Sequence, residues 1–411
     1  MAQRRVVVTG LGAITPVGLD VPSTWDAIIH GRSGIAQVQR FESDDLDVRI
    51  AGEVKGFDPN QYLDRKEARR MDRFLQLGLV AAQEAMRDAE LKITPDEADK
   101  VGVIVGSGIG GISTIVDAAI TLHTRGPDRV GPFVVPMMLP DMLAGMIAIQ
   151  TGAKGTNFAV ASACATAGHA LGEAAAIIRR GDAEVILAGG AEAPVTRIGL
   201  AAFDSMRALS RRNDEPSRAS RPFDAERDGF VLAEAAGVLV VESLEHATRR
   251  DAHIYAEITG YGSTADAYHI TAPSEGGEGA ARAMWAAIRR AGLQPGDIGY
   301  INAHGTSTPH NDRAESQAIR SVFGEHAPPV SSTKSMTGHL IGASGAVEAI
   351  ICIKTILEGC LPPTINYEHP DPDCDLDYVP NVARSKRVNA ALSNSFGFGG
   401  HNTALIVSRY E

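Results

Sequence analysis

The sequence has no long apolar run. Its most apolar stretches, Val101–Val105 and Ala235–Val241, are the size of strands, well short of the roughly 18–20 residues that cross a bilayer as a helix, so no membrane partner is expected. Cysteine is scarce: the four in 411 residues (Cys164, Cys352, Cys360, Cys374) form no CxxC pair and no disulfide framework, and each reads as a free thiol. A cationic excess is also missing. Against 50 acidic side chains stand 39 basic ones, a net charge of −11, which excludes a surface built to track nucleic acid. Any acidic partner must meet a local basic patch. Arg4 and Arg5 pass directly into Val6–Val8 and Thr9-Gly10 without an apolar signal core, and the cytoplasm is the expected compartment. No disorder is indicated either, because hydrophobic residues at 44% and charged residues at 22% are ordinary globular values.

What is present is an alternation of short Val/Ile-rich runs with longer Ala-rich amphipathic stretches. Strands are predicted at Arg5–Thr9, Val101–Gly106, Asn157–Ala161, Glu184–Ala188, Gly237–Glu242, Tyr255–Gly260, Gly299–Ala303, Ala391–Ser393 and Thr403–Val407. Helices are predicted at Arg70–Ala89, Ala165–Arg180, Gly279–Ala291, Arg313–Phe323 and Gly345–Glu358. Continuous apolar strands separated by helices imply an α/β protein whose sheet is covered on both faces. An internal echo adds to this. Cys164-Ala-Thr-Ala-Gly168-His169-Ala-Leu-Gly172 resembles Lys334-Ser-Met-Thr-Gly338-His339-Leu-Ile-Gly342, which points to two related halves joined near residues 245–255.

Several motifs carry possible chemistry. Gly106-Ser-Gly108-Ile-Gly110-Gly111 after a strand satisfies GxGxxG, and Gly10-Leu-Gly12 resembles half of that fingerprint. A dinucleotide site also needs an acidic residue at the end of the next strand, and Ser113–Asp128 supplies no such strand. Tight turns between strand and loop are the plainer reading. Cys164 sits among Ala, Ser and Gly where a strand gives way to a helix. A thiol at a helix start feels the positive end of the dipole, which favours thiolate, and its small neighbours leave room for a substrate. His304 lies in Asn-Ala-His-Gly-Thr306-Ser-Thr308 and His339 in Lys334-Ser-Met-Thr-Gly-His, two imidazoles flanked by Gly and Thr, as a general acid or base would be. A zinc site from His304, His310 and His339 lacks ligand spacing. The turn Ser393-Asn-Ser-Phe396-Gly-Phe398-Gly-Gly400-His401 offers backbone amides to a ligand, or is simply a hairpin turn.

With these residues in view, the sequence resembles the β-ketoacyl-acyl-carrier-protein synthases of dissociated fatty acid synthesis. The resemblance runs from VVVTGLGAITPVG through the Cys164 segment, SRPFDAERDGFVLAEAAG, NAHGTSTPHND and SSTKSMTGHLIGASGAVE to NSFGFGGHN, essentially the whole chain. It implies an α/β, duplicated thiolase-like fold, with two pseudo-symmetric βαβαβ-type halves forming a layered α-β-α-β-α sandwich. The halves would span residues 1–252, with Cys164, and 253–411, with His304, Lys334, His339 and the glycine turn. By resemblance Cys164 accepts the acyl group, His304 and His339 complete a Cys-His-His set, Lys334 and Glu348 order it, and the Phe398 amide joins that of Cys164 as an oxyanion hole. Thr306 and Thr308 would contact a phosphopantetheine arm, and Ile109, Phe203 and Phe396 the substrate. The arm arrives on the acyl carrier protein, so no resident cofactor or metal is expected. Acyl carrier protein, docking on Lys66, Arg69, Arg70 and Arg207, and a second copy of the chain are the implied partners.

The expected reaction is decarboxylative condensation of an acyl-cysteine with malonyl-acyl carrier protein. A type II polyketide ketosynthase keeps the same three residues and stays open, as does a non-catalytic chain-length partner subunit, although such a chain is expected to lose the cysteine. A degradative thiolase would carry a second cysteine where Phe398 stands, and a chalcone-type enzyme an Asn in place of His339. A nicotinamide oxidoreductase rests only on Gly106–Gly111.

Overall fold

The computed structural model describes residues 4–411. Ten strands form one sheet, and its order is easiest to follow outward from a central seam. There Val6–Ile14 lies antiparallel to Ala256–Ala265 through two residue pairs, Val7 with Glu257 and Val8 with Ala256. On one side follow Ala235–Ser243, Val185–Glu192, Val101–Gly106 and Asn157–Phe158; on the other follow His401–Ser408, Ala390–Gly397, Tyr300–Asn302 and Val330–Ser331. Each side runs antiparallel, antiparallel, parallel, parallel. That matched sequence of pairings is the architectural mark of a duplicated unit.

Five layers result. The helices Thr166–Arg180 and Ser344–Glu358 lie in the middle, where Leu171, Ile178, Ile350 and Ile353 share one core with Ile186 and Val241 from one side of the sheet and Ala391 and Leu405 from the other. Outside, Arg73–Asp88 and Met142–Thr151 bury Leu75, Leu79 and Ile147 on the first side. Glu278–Ala291 and Pro309–Phe323 bury Ala283 and Ile319 on the second. Every residue of Val185–Glu192 and Ala235–Ser243 is buried, which is why these strands read as continuous apolar runs without alternation.

The structure departs from the sequence reading in instructive places. The first strand continues through Gly10 and Gly12 to Ile14, so these glycines end no strand. A Cβ on Gly12 would fall 2.0 Å from the Ala81 carbonyl; its absence lets the Arg73–Asp88 helix lie directly on the strand. That helix begins at Arg73, not Arg70, because Asp72 caps it. Of the thirteen α-helices among the described residues, eight were not predicted, and three of them show why. Ile112–Arg125 has its Ile115, Ile120 and Leu122 exposed, so its apolar residues trace no inward stripe. Met142–Thr151 is apolar nearly all round and has no helical period. Arg197–Ser205 is short and rests on its Thr196 cap.

The internal echo also needs correction. Gly168, His169 and Gly172 lie within the Thr166–Arg180 helix, whereas Gly338 and His339 precede the Ser344–Glu358 helix. By place in the fold, the 3₁₀ turn Ala163–Ala165 before the first helix matches the turn Ile341–Ala343 before the second. Cys164 therefore corresponds to Gly342, not to Lys334, and the GHxxG likeness is coincidental. His169 is bonded to Ser162 Oγ at 2.7 Å and Ser263 Oγ at 3.0 Å, a brace from helix to strand apart from His304 and His339.

Candidate active site

The turn that presents Cys164 is a strained device. Ala163 has φ of 49°, a left-handed conformation that costs an alanine about 1–2 kcal/mol. Thr166 closes the turn: its hydroxyl donates to the Ala163 carbonyl at 2.7 Å and accepts from the Ser162 amide at 2.9 Å. Cys164 so presented is 7% exposed, and its sulfur lies 2.9 Å from His339 Nε2. The His304 ring stands edge-on to that of His339, with centroids 5.3 Å apart and planes at 82°. One donor atom from each of the three side chains falls within 4.8 Å of the others.

Each imidazole is held in place by its own surroundings. Phe230 packs edge-on against His339 with centroids 5.1 Å apart, and Ser344 Oγ faces His339 Nδ1 at 3.4 Å. Glu315 anchors the other loop, accepting from the His304 amide at 2.8 Å, the Gly305 amide at 2.7 Å and Asn394 Nδ2 at 3.0 Å. Beneath them the Lys334 ammonium donates to Glu348 Oε1 in a buried ion pair.

Burial governs the electrostatics. It holds both histidines well below the usual imidazole range, helped by the nearby Lys334 charge, so both rings are neutral at pH 7. It also pushes the Cys164 thiol up to about 12, against the downward pull of Lys334 and of the Phe398 and Cys164 backbone amides. This overturns the expected thiolate at rest. The dipole argument is correct in sign, but the desolvation of a buried anion outweighs it. The sulfur is a protonated thiol paired with a neutral imidazole. Burial likewise raises Glu315 to about 7 and pushes Glu348 upward against Lys334.

A cavity of about 430 Å³ opens onto the sulfur, and Cys164, His304, His339, Thr306, Thr308, Ile109, Phe203, Phe396, Phe398 and Arg207 all line it. Thr306 and Thr308 join hydroxyls at 3.0 Å. The glycine-dense turn at 397–400 is indeed a hairpin turn, between Ala390–Gly397 and His401–Ser408, and it places Phe398 at the cavity as well. His310 lies exposed on the cavity wall at the start of its helix and forms no cluster with His304 and His339. Lys334 and Glu348 sit behind the cavity lining. Lys66, Arg69 and Arg70 are outside it, on and after the short helix Arg65–Ala68. Lys66 and Arg69 are exposed, and Arg70 lies 4.6 Å over the Phe133 ring.

The Gly106–Gly111 loop is no phosphate cradle. Its Gly108 and Ile109 amides point at the buried carboxylate of Glu192, at 2.7 and 3.1 Å, and a fixed anion there opposes a pyrophosphate. Glu192, Glu315 and Phe230 were not singled out from the sequence, since nothing in their spacing tells which backbone they meet. Asn302 Oδ1, Glu348 Oε2, Ser393 Oγ and Asn394 Oδ1 are buried without a hydrogen-bond partner. Asn302 and Ser393 are paired across adjacent strands.

The chain matches the beta-ketoacyl synthase N-terminal domain over residues 3–247 and the C-terminal domain over residues 255–368. It belongs to the beta-ketoacyl synthase family. It is 51% identical to 3-oxoacyl-[acyl-carrier-protein] synthase 2 of Synechocystis sp., covering 100% of this chain and 99% of that one. It is 52% identical to the protein of the same name from Staphylococcus aureus, covering 99% of each. Among solved structures, a beta-ketoacyl synthase from Burkholderia phymatum superposes with a TM-score of 0.92 at 38% identity, over 99% of this chain and 100% of that one. A type II polyketide ketosynthase bound to a hexaketide and in complex with its acyl carrier protein gives 0.91 at 37%, with the same coverage. No helix among the described residues is long and apolar enough to cross a membrane.

Proposed function

We propose that the chain is a 3-oxoacyl-[acyl-carrier-protein] synthase, joining an acyl group carried on Cys164 to malonyl-acyl carrier protein. The observation that carries this reading is the convergence of one thiol and two neutral imidazoles on a cavity. The full-length identity to synthases of that name supports fatty acid elongation over polyketide assembly.

The geometry divides the work into two stages. In the first, the Cys164 S–H donates to His339 Nε2 across 2.9 Å. As sulfur attacks the acyl-pantetheine carbonyl, His339 takes the proton and returns it to the departing pantetheine thiol. The tetrahedral oxyanion collects the amides of Cys164 and Phe398, the two that face the sulfur. In the second stage the acylated sulfur has no proton, and His339 and His304 are free to donate to the malonyl thioester carbonyl. Ser344 Oγ accommodates either tautomer of His339, because a hydroxyl both donates and accepts. The malonyl carboxylate leaves as CO2, and its bonding pair goes to the α-carbon as an enolate held by the two imidazoles. That carbon attacks the acyl thioester, a C–C bond forms, the C–S bond breaks, and the Cys164 thiolate takes up one proton.

The carrier's arm would pass Thr306 and Thr308, and its acidic body would meet Lys66, Arg69, Arg70 and Arg207, an attraction that salt weakens. A second copy of the chain would cover the apolar face of Ile120 (55% exposed), Val135 (56%) and Ile149 (81%), beside the free edge strand Asn157–Phe158. The free cysteines and the thiol chemistry suit the reducing cytoplasm. Mass spectrometry after incubation with an acyl-carrier thioester is the test. The wild type gains one acyl mass on Cys164 and Cys164→Ala gains none; an adduct on the variant, or on another cysteine, refutes the assignment.

A further inference from the structure

Glu192 is fully buried at the end of the Val185–Glu192 strand, touches no part of the cavity, and has no role in the reaction above. Yet it gathers four donors. Oε1 accepts from Ser107 Oγ at 2.7 Å and the Ile109 amide at 3.1 Å; Oε2 accepts from the Gly108 amide at 2.7 Å and the Gly342 amide at 3.0 Å. Burying a carboxylate is costly, and only such a full set of donors repays it. The donors come from both sides of the molecule: Ser107, Gly108 and Ile109 follow the Val101–Gly106 strand, while Gly342 lies in the turn just after His339.

Two of the backbone positions so fixed carry side chains that line the cavity. Ile109 bears one bonded amide, and Ile341 immediately precedes the other, Gly342. Both side chains pack in one apolar cluster with Cys164 and Phe203. There is no slack in the arrangement. A Cβ on Gly342 would lie 2.6 Å from both Glu192 Oε2 and the Gly108 nitrogen, so the two loops are in contact through this carboxylate. Without it, four donors would be left buried and unmatched, and the loops would be free to part.

We propose that Glu192 is a positioning residue that ties the Ile109 loop to the Ile341 turn and thereby sets how long an acyl chain the Cys164 pocket admits. This deepens the reading of Cys164 as the acyl acceptor and rests on it. A short acyl group needs only the sulfur and the oxyanion amides. A long one also extends along the cavity wall to which Ile109 and Ile341 contribute, so the effect of loosening the tie depends on chain length.

Glu192→Gln puts an amide NH2 against backbone donors in the same volume. Single-turnover acylation of Cys164 by acetyl-carrier and by dodecanoyl-carrier thioesters would be followed by mass spectrometry, with kcat and KM for condensation measured on both. The expected result is a tenfold or greater change in the ratio of dodecanoyl to acetyl acylation, with the change in kcat/KM confined mainly to the long chain. Ser107→Ala removes one donor without touching the carboxylate and should move the ratio in the same direction by about threefold; it decides the matter should Glu192→Gln fail to fold. An unchanged ratio in Ser107→Ala and Glu192→Gln, or an equal loss at both lengths, overturns the proposal. Failure of the wild type to form any adduct on Cys164 would instead sink the parent reading.

Discussion

The turns Ala163–Ala165 and Ile341–Ala343 occupy matching places in the duplicated fold, and one contains the proposed nucleophile while the other contains glycine. Both are single 3₁₀ turns. Each is entered through a residue forced into the left-handed region, Ala163 at φ 49° and Ile341 at φ 46°, and each leads into a 15-residue central helix. The same backbone device therefore serves two ends. In the first turn the middle residue projects a sulfur into the cavity; in the second it withdraws every atom beyond Cα and gives its amide to Glu192. Duplication supplied the geometry, and one residue at each centre decides which copy reacts and which braces.

Substitutions that exchange these roles sharpen the contrast. Cys164→Ser keeps the turn but replaces the thiol by a hydroxyl that the neutral His339 activates poorly. Condensation should fall by ~10³-fold or more, with thermal unfolding little changed; a variant within tenfold of wild type would contradict the role of the sulfur. On the bracing side, Ile341→Gly relieves the strained φ but deletes a buried side chain, with a net loss of about 2–4 kcal/mol, read from the denaturant midpoint. Gly342→Ala forces a methyl against Glu192 and the Gly108 backbone and should cost about 1–3 kcal/mol; a neutral result would mean that the two loops can part freely. Ala163→Gly relieves strain with little burial lost, so its effect should lie within about 1 kcal/mol of zero. Equal responses at Ala163 and Ile341 would erase the distinction between the turns.

The buried carboxylates add a pH signature. Glu315 is raised from 4.5 to about 7 in the folded protein, so the unfolded chain ionises first. Its ionisation opposes folding, and stability drains away as pH rises from about 4.5 to about 7. Glu242 behaves in the opposite sense. Hydrogen bonds from His246, Arg250 and Thr9 overcome its burial and hold it at about 2, so its contribution is complete above about 4.5 and lost as pH falls toward 2. Melting temperatures of wild type and Glu315→Gln across pH 4.5–8 should diverge progressively up to about pH 7 and run parallel above it. A constant difference would refute the raised value.

Much of this was legible in the sequence, and the gaps have physical causes. Strands buried on both faces announce themselves as apolar runs, and Cys164, His304 and His339 stood out because small residues crowd each of them. The ionisation of Cys164 was misjudged because position along a helix can be read from order, whereas dehydration depends on what packs from elsewhere. Glu192 and Glu315 were missed for the same reason. Their partners lie 84 and 10 or 11 residues away, and a carboxylate bonding backbone amides has no preferred neighbour type to betray it. The GHxxG echo failed because letter similarity fell eight positions out of step with the structural repeat.

The placement of reactive groups along the chain has a consequence for biosynthesis. Cys164 emerges from the ribosome long before His304, His339 and the Phe398 amide, which sit on elements that join the sheet only once Ala390–Gly397 and His401–Ser408 pair. A nascent or prematurely terminated product carries its thiol with no imidazole beside it and no pair of amides to receive an oxyanion. Such a fragment lacks the arrangement of imidazoles and amides around the sulfur, which comes together only once the turn bearing Phe398 has been made.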